Sequence, residues 1–111
     1  MATKDWTRTK PYRELAAGLR ENLEARGLIE PVYRDLLDRY LELWCEFQEL
    51  TADIRERGVC VEDPKRGMLV ENRSCTIRHQ TSQKMIDIYN ALGFREISAG
   101  AARGFPDDDE L

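Results

Sequence analysis

The chain has 111 residues, 41% of them hydrophobic and 34% charged, with 21 acidic residues against 17 Lys and Arg. That length holds one small domain with a modest core, and the high charge suits helices with wide solvated faces. The net charge of −4 argues against a surface given over wholly to nucleic acid, and no apolar run approaches the ~18 residues that span a bilayer.

Residues 1–10 read as a flexible basic N-terminus. Pro11 suits the first turn of a helix that runs to about Arg26, with Tyr12, Leu15, Ala16, Leu19 and Leu23 on one face and Gly27 closing it. Gly18 inside it costs about 1 kcal/mol against Ala and is expected to mark the close approach of another helix. Glu30-Pro31 opens a second helix that continues to Arg57 and ends at Gly58 after the cations Arg55 and Arg57. At 1.5 Å per residue it is roughly 40 Å long. The short link between these helices makes them an antiparallel hairpin.

The second helix carries the strongest pattern. Tyr33, Leu37, Tyr40, Trp44, Phe47, Thr51 and Ile54 follow at alternating steps of four and three, and Leu36, Leu43 and Leu50 form a second row at steps of seven. Two adjacent rows are too wide for a two-stranded coil. The face must be covered by the same chain, by neighbouring copies, or by both. The expected subunit interface is Tyr33, Leu36, Leu37, Tyr40, Leu43, Trp44, Phe47, Leu50 and Ile54.

Val59-Cys60-Val61 and Met68-Leu69-Val70 are short β-prone pieces around a polar turn, readable as a small hairpin or an ordered loop. A third helix follows from about Ser74 to Leu92, capped by Asn72 or Ser74 and closed by Gly93. Its stripe is Ile77, Thr81, Met85, Ile88, Tyr89 and Leu92. Residues 99–111, with Asp107, Asp108, Asp109 and Glu110, read as a disordered acidic tail. The expected fold class is all-α: an antiparallel helical hairpin with a long central helix plus a third helix, with a short loop or β-hairpin between helices 2 and 3. The helical domain spans residues 11–98.

Charge is uneven along the chain. Residues 1–26 hold six Lys and Arg against four acids, and residues 59–96 hold six against five; the acidic excess lies in 27–58 and 97–111. Any polyanion contact therefore falls to Lys4, Arg8, Lys10 and Arg13, to Lys65 and Arg66, or to Arg73, Arg78 and Lys84. Cys45, Cys60 and Cys75 are odd in number, and residues 1–14 have no apolar stretch of a secretory signal, so reduced thiols and a cytosolic setting are expected. Cys60, Cys75 and His79 lack the close pairing and the fourth ligand of a structural zinc site. No phosphate-binding glycine loop and no nucleophile–base pair is present, so neither an enzyme nor a cofactor is expected.

From helix 2 onward the order of features resembles a known family. Tyr40, Leu43, Trp44 and Phe47 precede Gly58; a turn at Gly67 leads to Leu69-Val70-Glu71-Asn72; and Ala91-Leu92-Gly93-Phe94 closes helix 3. This resembles the small terminase subunit of tailed phages, in its short branch without a large N-terminal DNA-binding domain, over roughly residues 28–98. Two positions depart from the pattern: Arg73 stands where the family usually has Pro, and no Thr-Pro or Ser-Arg element follows Leu92-Gly93. The resemblance implies a non-enzymatic part of the viral DNA-packaging motor in the cytoplasm of a bacterial host. It also implies a homo-oligomeric ring that binds double-stranded viral DNA and the large ATPase/nuclease subunit, with Asp107–Glu110 as a candidate docking element. The alternative is a small cytosolic helical adaptor or regulator that acts through protein contacts without DNA.

Overall fold

The computed structural model describes residues 4–94. Its elements are a short 3-10 helix at Trp6–Arg8, α1 (Lys10–Ala25), α2 (Pro31–Arg57), β1 (Cys60–Asp63), β2 (Met68–Glu71) and α3 (Arg73–Ala91). Each helix starts where its sequence says it should. The Thr9 hydroxyl accepts the Tyr12 N–H at the head of α1, proline occupies the first turn of α1 and α2, and the Asn72 side chain accepts the Ser74 N–H at the head of α3.

Both shorter helices run antiparallel to α2. Along α1, Trp6 meets Glu49, Tyr12 meets Trp44, and Leu23 joins the cluster around Leu37. Along α3, Ser74 meets Asp53, Thr81 meets Glu46, and Tyr89 meets Tyr40. The core lies where the three helices converge: Ala16 and Leu23 from α1, Leu37 and Leu41 from α2, and Leu92 and Phe94 just past α3. Arg26 ties the ends of α1 and α3 together. Its guanidinium donates to the Leu92 carbonyl at 2.8 Å and lies 5.3 Å from the centre of the Phe94 ring. Gly93 turns the chain between them at φ +83°, a left-handed conformation that suits glycine, and a Cβ there would stand 2.7 Å from the Arg26 guanidinium.

Two expectations need correction. The fold is mostly helical but not purely all-α, because β1 and β2 pair antiparallel between α2 and α3 with Cys60 opposite Glu71 and Val61 opposite Val70. The hairpin is chosen over a plain loop by its turn. The Asp63 carboxylate accepts the Lys65 N–H at 2.9 Å, and Gly67, at φ +67°, returns its N–H to the Asp63 carbonyl at 2.7 Å. Val61 and Val70 face inward as a pair, which gives the two strands an apolar anchor. Gly18, in contrast, marks no close approach: a Cβ there would meet nothing within 4 Å.

Candidate assembly and nucleic-acid interface

The α2 seam divides between the chain's own core and a half-open face. Leu37 is 1% exposed and belongs to the core. Three aromatics of the seam find partners in the same chain. Tyr40 stacks on Tyr89 at 6.0 Å, Trp44 lies between Trp6 (6.3 Å, edge-on) and Tyr12 (5.8 Å), and Phe47 sits under the Arg78 guanidinium at 5.7 Å. Tyr33, Leu36, Leu43, Leu50 and Ile54 remain half-buried. Leu43 and Ile88 together line a groove edged by Arg39, Glu42, Lys84 and Asp87. Leu41, at 2% exposure, was missed by the heptad reading. It lies four residues after Leu37, so the two share one side of α2, beside the seam that continues at Tyr40 and Trp44.

The basic residues fall into separate groups. Lys4, Arg8, Lys10 and Arg13 line the start of the chain and the first turn of α1, and all four are exposed. Arg8 pairs with Asp5 at 3.3 Å and Lys10 with Glu14 at 3.9 Å, both at the surface, where such pairs hold their partners weakly. The segment is anchored by Trp6, whose indole N–H donates to Glu49 at 2.7 Å while Lys4 sits 4.5 Å above its ring. A lone tryptophan in a polar stretch was the signal for this anchor. Lys65 and Arg66 stand exposed at the hairpin turn, and Arg73 is exposed at the first position of α3. Arg78 is half-buried and donates to Thr51, while Lys84 lies in the groove beside Glu42, Glu46 and Asp87. Arg78 and Lys84 are thereby engaged within the chain or screened by acids.

The junction of α2, the hairpin and α3 is a hydrogen-bonded knot around Asn72, which is fully buried. Its amide N–H groups donate to the Gly58 carbonyl at 2.9 Å and to Asp53 at 3.2 Å. Its carbonyl oxygen accepts from the Ser74 backbone at 3.0 Å and from Arg57 at 3.2 Å. Asp53 accepts further bonds from Arg57 at 2.7 and 2.8 Å and from the Ser74 hydroxyl at 2.7 Å. Arg73 in place of proline leaves this cap intact, because the cap is made by the Asn72 side chain and the Ser74 N–H and draws on nothing from residue 73.

The Arg57 guanidinium first, then the Ser74 hydroxyl, hold the Asp53 carboxyl well below the usual carboxylate range. Its unfolded value is about 3.9, so the stability it contributes is complete above that pH and is lost as pH falls through the lower folded value. Asp53→Asn is therefore destabilising at pH 7, and its gap to the parent protein closes on acidification below about pH 4. Thermal melts at pH 7, 4 and 3 check this; a gap that stays constant over that range excludes the charged knot.

Cys60 is exposed, Cys45 and Cys75 are half-buried, and all three are free thiols. Among the described residues no group of three or more His, Cys, Asp and Glu is placed to hold a metal ion, and no helix is long and apolar enough to cross a membrane. Asp107, Asp108, Asp109 and Glu110 lie outside the described residues. Comparison with known proteins finds no match among curated proteins or solved structures. A family model described as "Phage terminase, small subunit" matches residues 13–102, a span that takes in most of α1 as well as the region from helix 2 onward.

Proposed function

Because this chain belongs to the phage terminase small-subunit family, we propose that it works as the non-enzymatic subunit of a viral DNA-packaging motor in the bacterial host cytoplasm. Copies of the chain form a ring, the ring binds double-stranded viral DNA, and it recruits or stimulates the large ATPase/nuclease subunit. The family match over residues 13–102 carries this reading.

The physical chemistry supports each part separately. Six hydrophobic side chains are buried among the described residues, a small core for so long a central helix. Packing the half-buried row Tyr33, Leu36, Leu43, Leu50 and Ile54 against a neighbouring copy would enlarge it. Leu37, Tyr40, Trp44 and Phe47 support that row from within their own chain. Lys4, Arg8, Lys10 and Arg13, with Lys65, Arg66 and Arg73, supply phosphate contacts that a ring repeats in every copy, so weak single contacts add up. That repetition reconciles an acidic chain with a polyanion partner. Arg78 contributes less because it is engaged with Thr51 and Phe47, and Lys84 because Glu42, Glu46 and Asp87 share its groove. Asp107–Glu110 would then meet the large subunit.

Fluorescence anisotropy on duplex DNA tests the nucleic-acid part. Reversing Lys4, Arg8, Lys10 and Arg13 to Glu lowers affinity at least about tenfold and flattens the salt dependence, while the oligomer mass stays unchanged. Equal affinity for parent and variant would remove the N-terminal segment from the interface.

A further inference from the structure

The elbow between α1 and α2 carries an apolar notch with a cationic rim. Leu23, Leu28 and Ile29 line a groove of about 220 Å³, flanked by Arg20 and Arg34, with Glu24 the one acid beside them. Ile29 is 65% exposed. The volume is small for a metabolite pocket and suits one or two side chains of a peptide. Neither Arg20 nor Arg34 forms an ion pair among the described residues, although α1 and α2 are rich in acids. The rim is thus an unneutralised pair of guanidiniums beside exposed apolar surface, the chemistry that receives an acidic segment with an apolar anchor.

The chain itself carries such a segment. Phe105-Pro106 is followed at once by Asp107, Asp108, Asp109 and Glu110, and then by Leu111. Phe94, the last described residue, is packed in the same cluster as Leu23, which lines the notch. The described fold therefore ends in the cluster that forms the inner wall of the notch through Leu23 and Leu37. The eleven steps from Phe94 to Phe105 reach up to roughly 35 Å, ample for the return. We propose that residues 105–111 dock back onto the α1–α2 elbow of their own chain, with Phe105 against Leu23, Leu28 and Ile29 and the carboxylates against Arg20 and Arg34. Tethering supplies an effective concentration on the order of millimolar, so even a millimolar intrinsic affinity occupies the groove about half the time. The docked segment is masked, and a partner with a better cationic surface must displace it. This proposal stands on the groove and the sequence and does not depend on the packaging role.

Amide NMR spectra of the full chain test it. Phe105→Ala, and separately the combined Asp107→Asn, Asp108→Asn, Asp109→Asn and Glu110→Gln variant, shift the amides of Leu28, Ile29 and Arg34. In the reverse direction, Arg20→Glu with Arg34→Glu shifts the amides of residues 105–111. The perturbations persist on tenfold dilution, as an intramolecular contact requires. Shifts confined to the altered segment overturn the proposal. Shifts at the elbow that fade on dilution overturn it equally, because they assign the groove to the segment of another copy.

Discussion

Asn72→Ala destabilises the protein by about 1.5–5 kcal/mol, the sum of a lost N-cap of about 0.5–2 kcal/mol and a buried carbonyl left without a donor at about 1–3 kcal/mol. The site is fully buried, so water does not readily replace the lost amide at the Gly58 carbonyl. Asn72→Asp separates the two contributions. Aspartate caps a helix as well as asparagine does, so an effect confined to capping would disappear in that variant. The geometry predicts otherwise. A carboxylate at position 72 points acceptor oxygens at the Gly58 carbonyl and at Asp53, where the amide had donated to both. Asn72→Asp is therefore expected to be about as unstable as Asn72→Ala. Denaturant titration of the three proteins decides the matter; full stability in the aspartate variant would reduce the knot to a simple cap.

Leu41→Ala carries the second large effect. Leu41 is 2% exposed and packs with Leu37, Leu23 and Ala16 among few other core residues. Truncation of such a side chain costs about 2–5 kcal/mol, and in a domain of this size that lowers Tm by more than about 10 °C. Leu43→Ala, two residues on, removes a half-buried side chain at the edge of a groove and costs about 1 kcal/mol within the monomer. The contrast locates the division of α2 between core and outer face. Melting curves of the two variants check it, and equal losses would mean that the helix has been assigned the wrong inner side.

Helix α2 was legible to its last residue because three independent signals agreed: proline at its start, a sustained apolar period, and two arginines before a terminal glycine. The inward stripe of α3 was legible from its apolar period alone, and Thr81 on it and Leu92 just past its end are buried. Leu41 was not, because a heptad template follows one seam, whereas α2 is flanked by α1 and α3 and needs apolar residues on a broader arc. Asn72 was recognisable as a cap, since a cap is a local feature. Its bonds to Asp53 and Gly58 join residues 19 and 14 positions away, and nothing in a linear pattern records such a pairing. The hairpin remained undecided for a related reason. Its strands are four residues long, too short for an alternation to stand out, and its turn depends on the Asp63 side chain and Gly67 acting together. The basic residues were all visible in the sequence. Their separation into an N-terminal set, a hairpin set and an engaged or screened pair on α3 depends on packing.

The assembly claim is tested most directly by the mass of the purified protein, measured by light scattering after size-exclusion chromatography over a broad concentration range. One chain weighs 12.9 kDa. The packaging reading predicts one discrete species at many times that mass, stable on dilution. A clean monomer or dimer at every concentration would contradict the ring and favour a small helical adaptor.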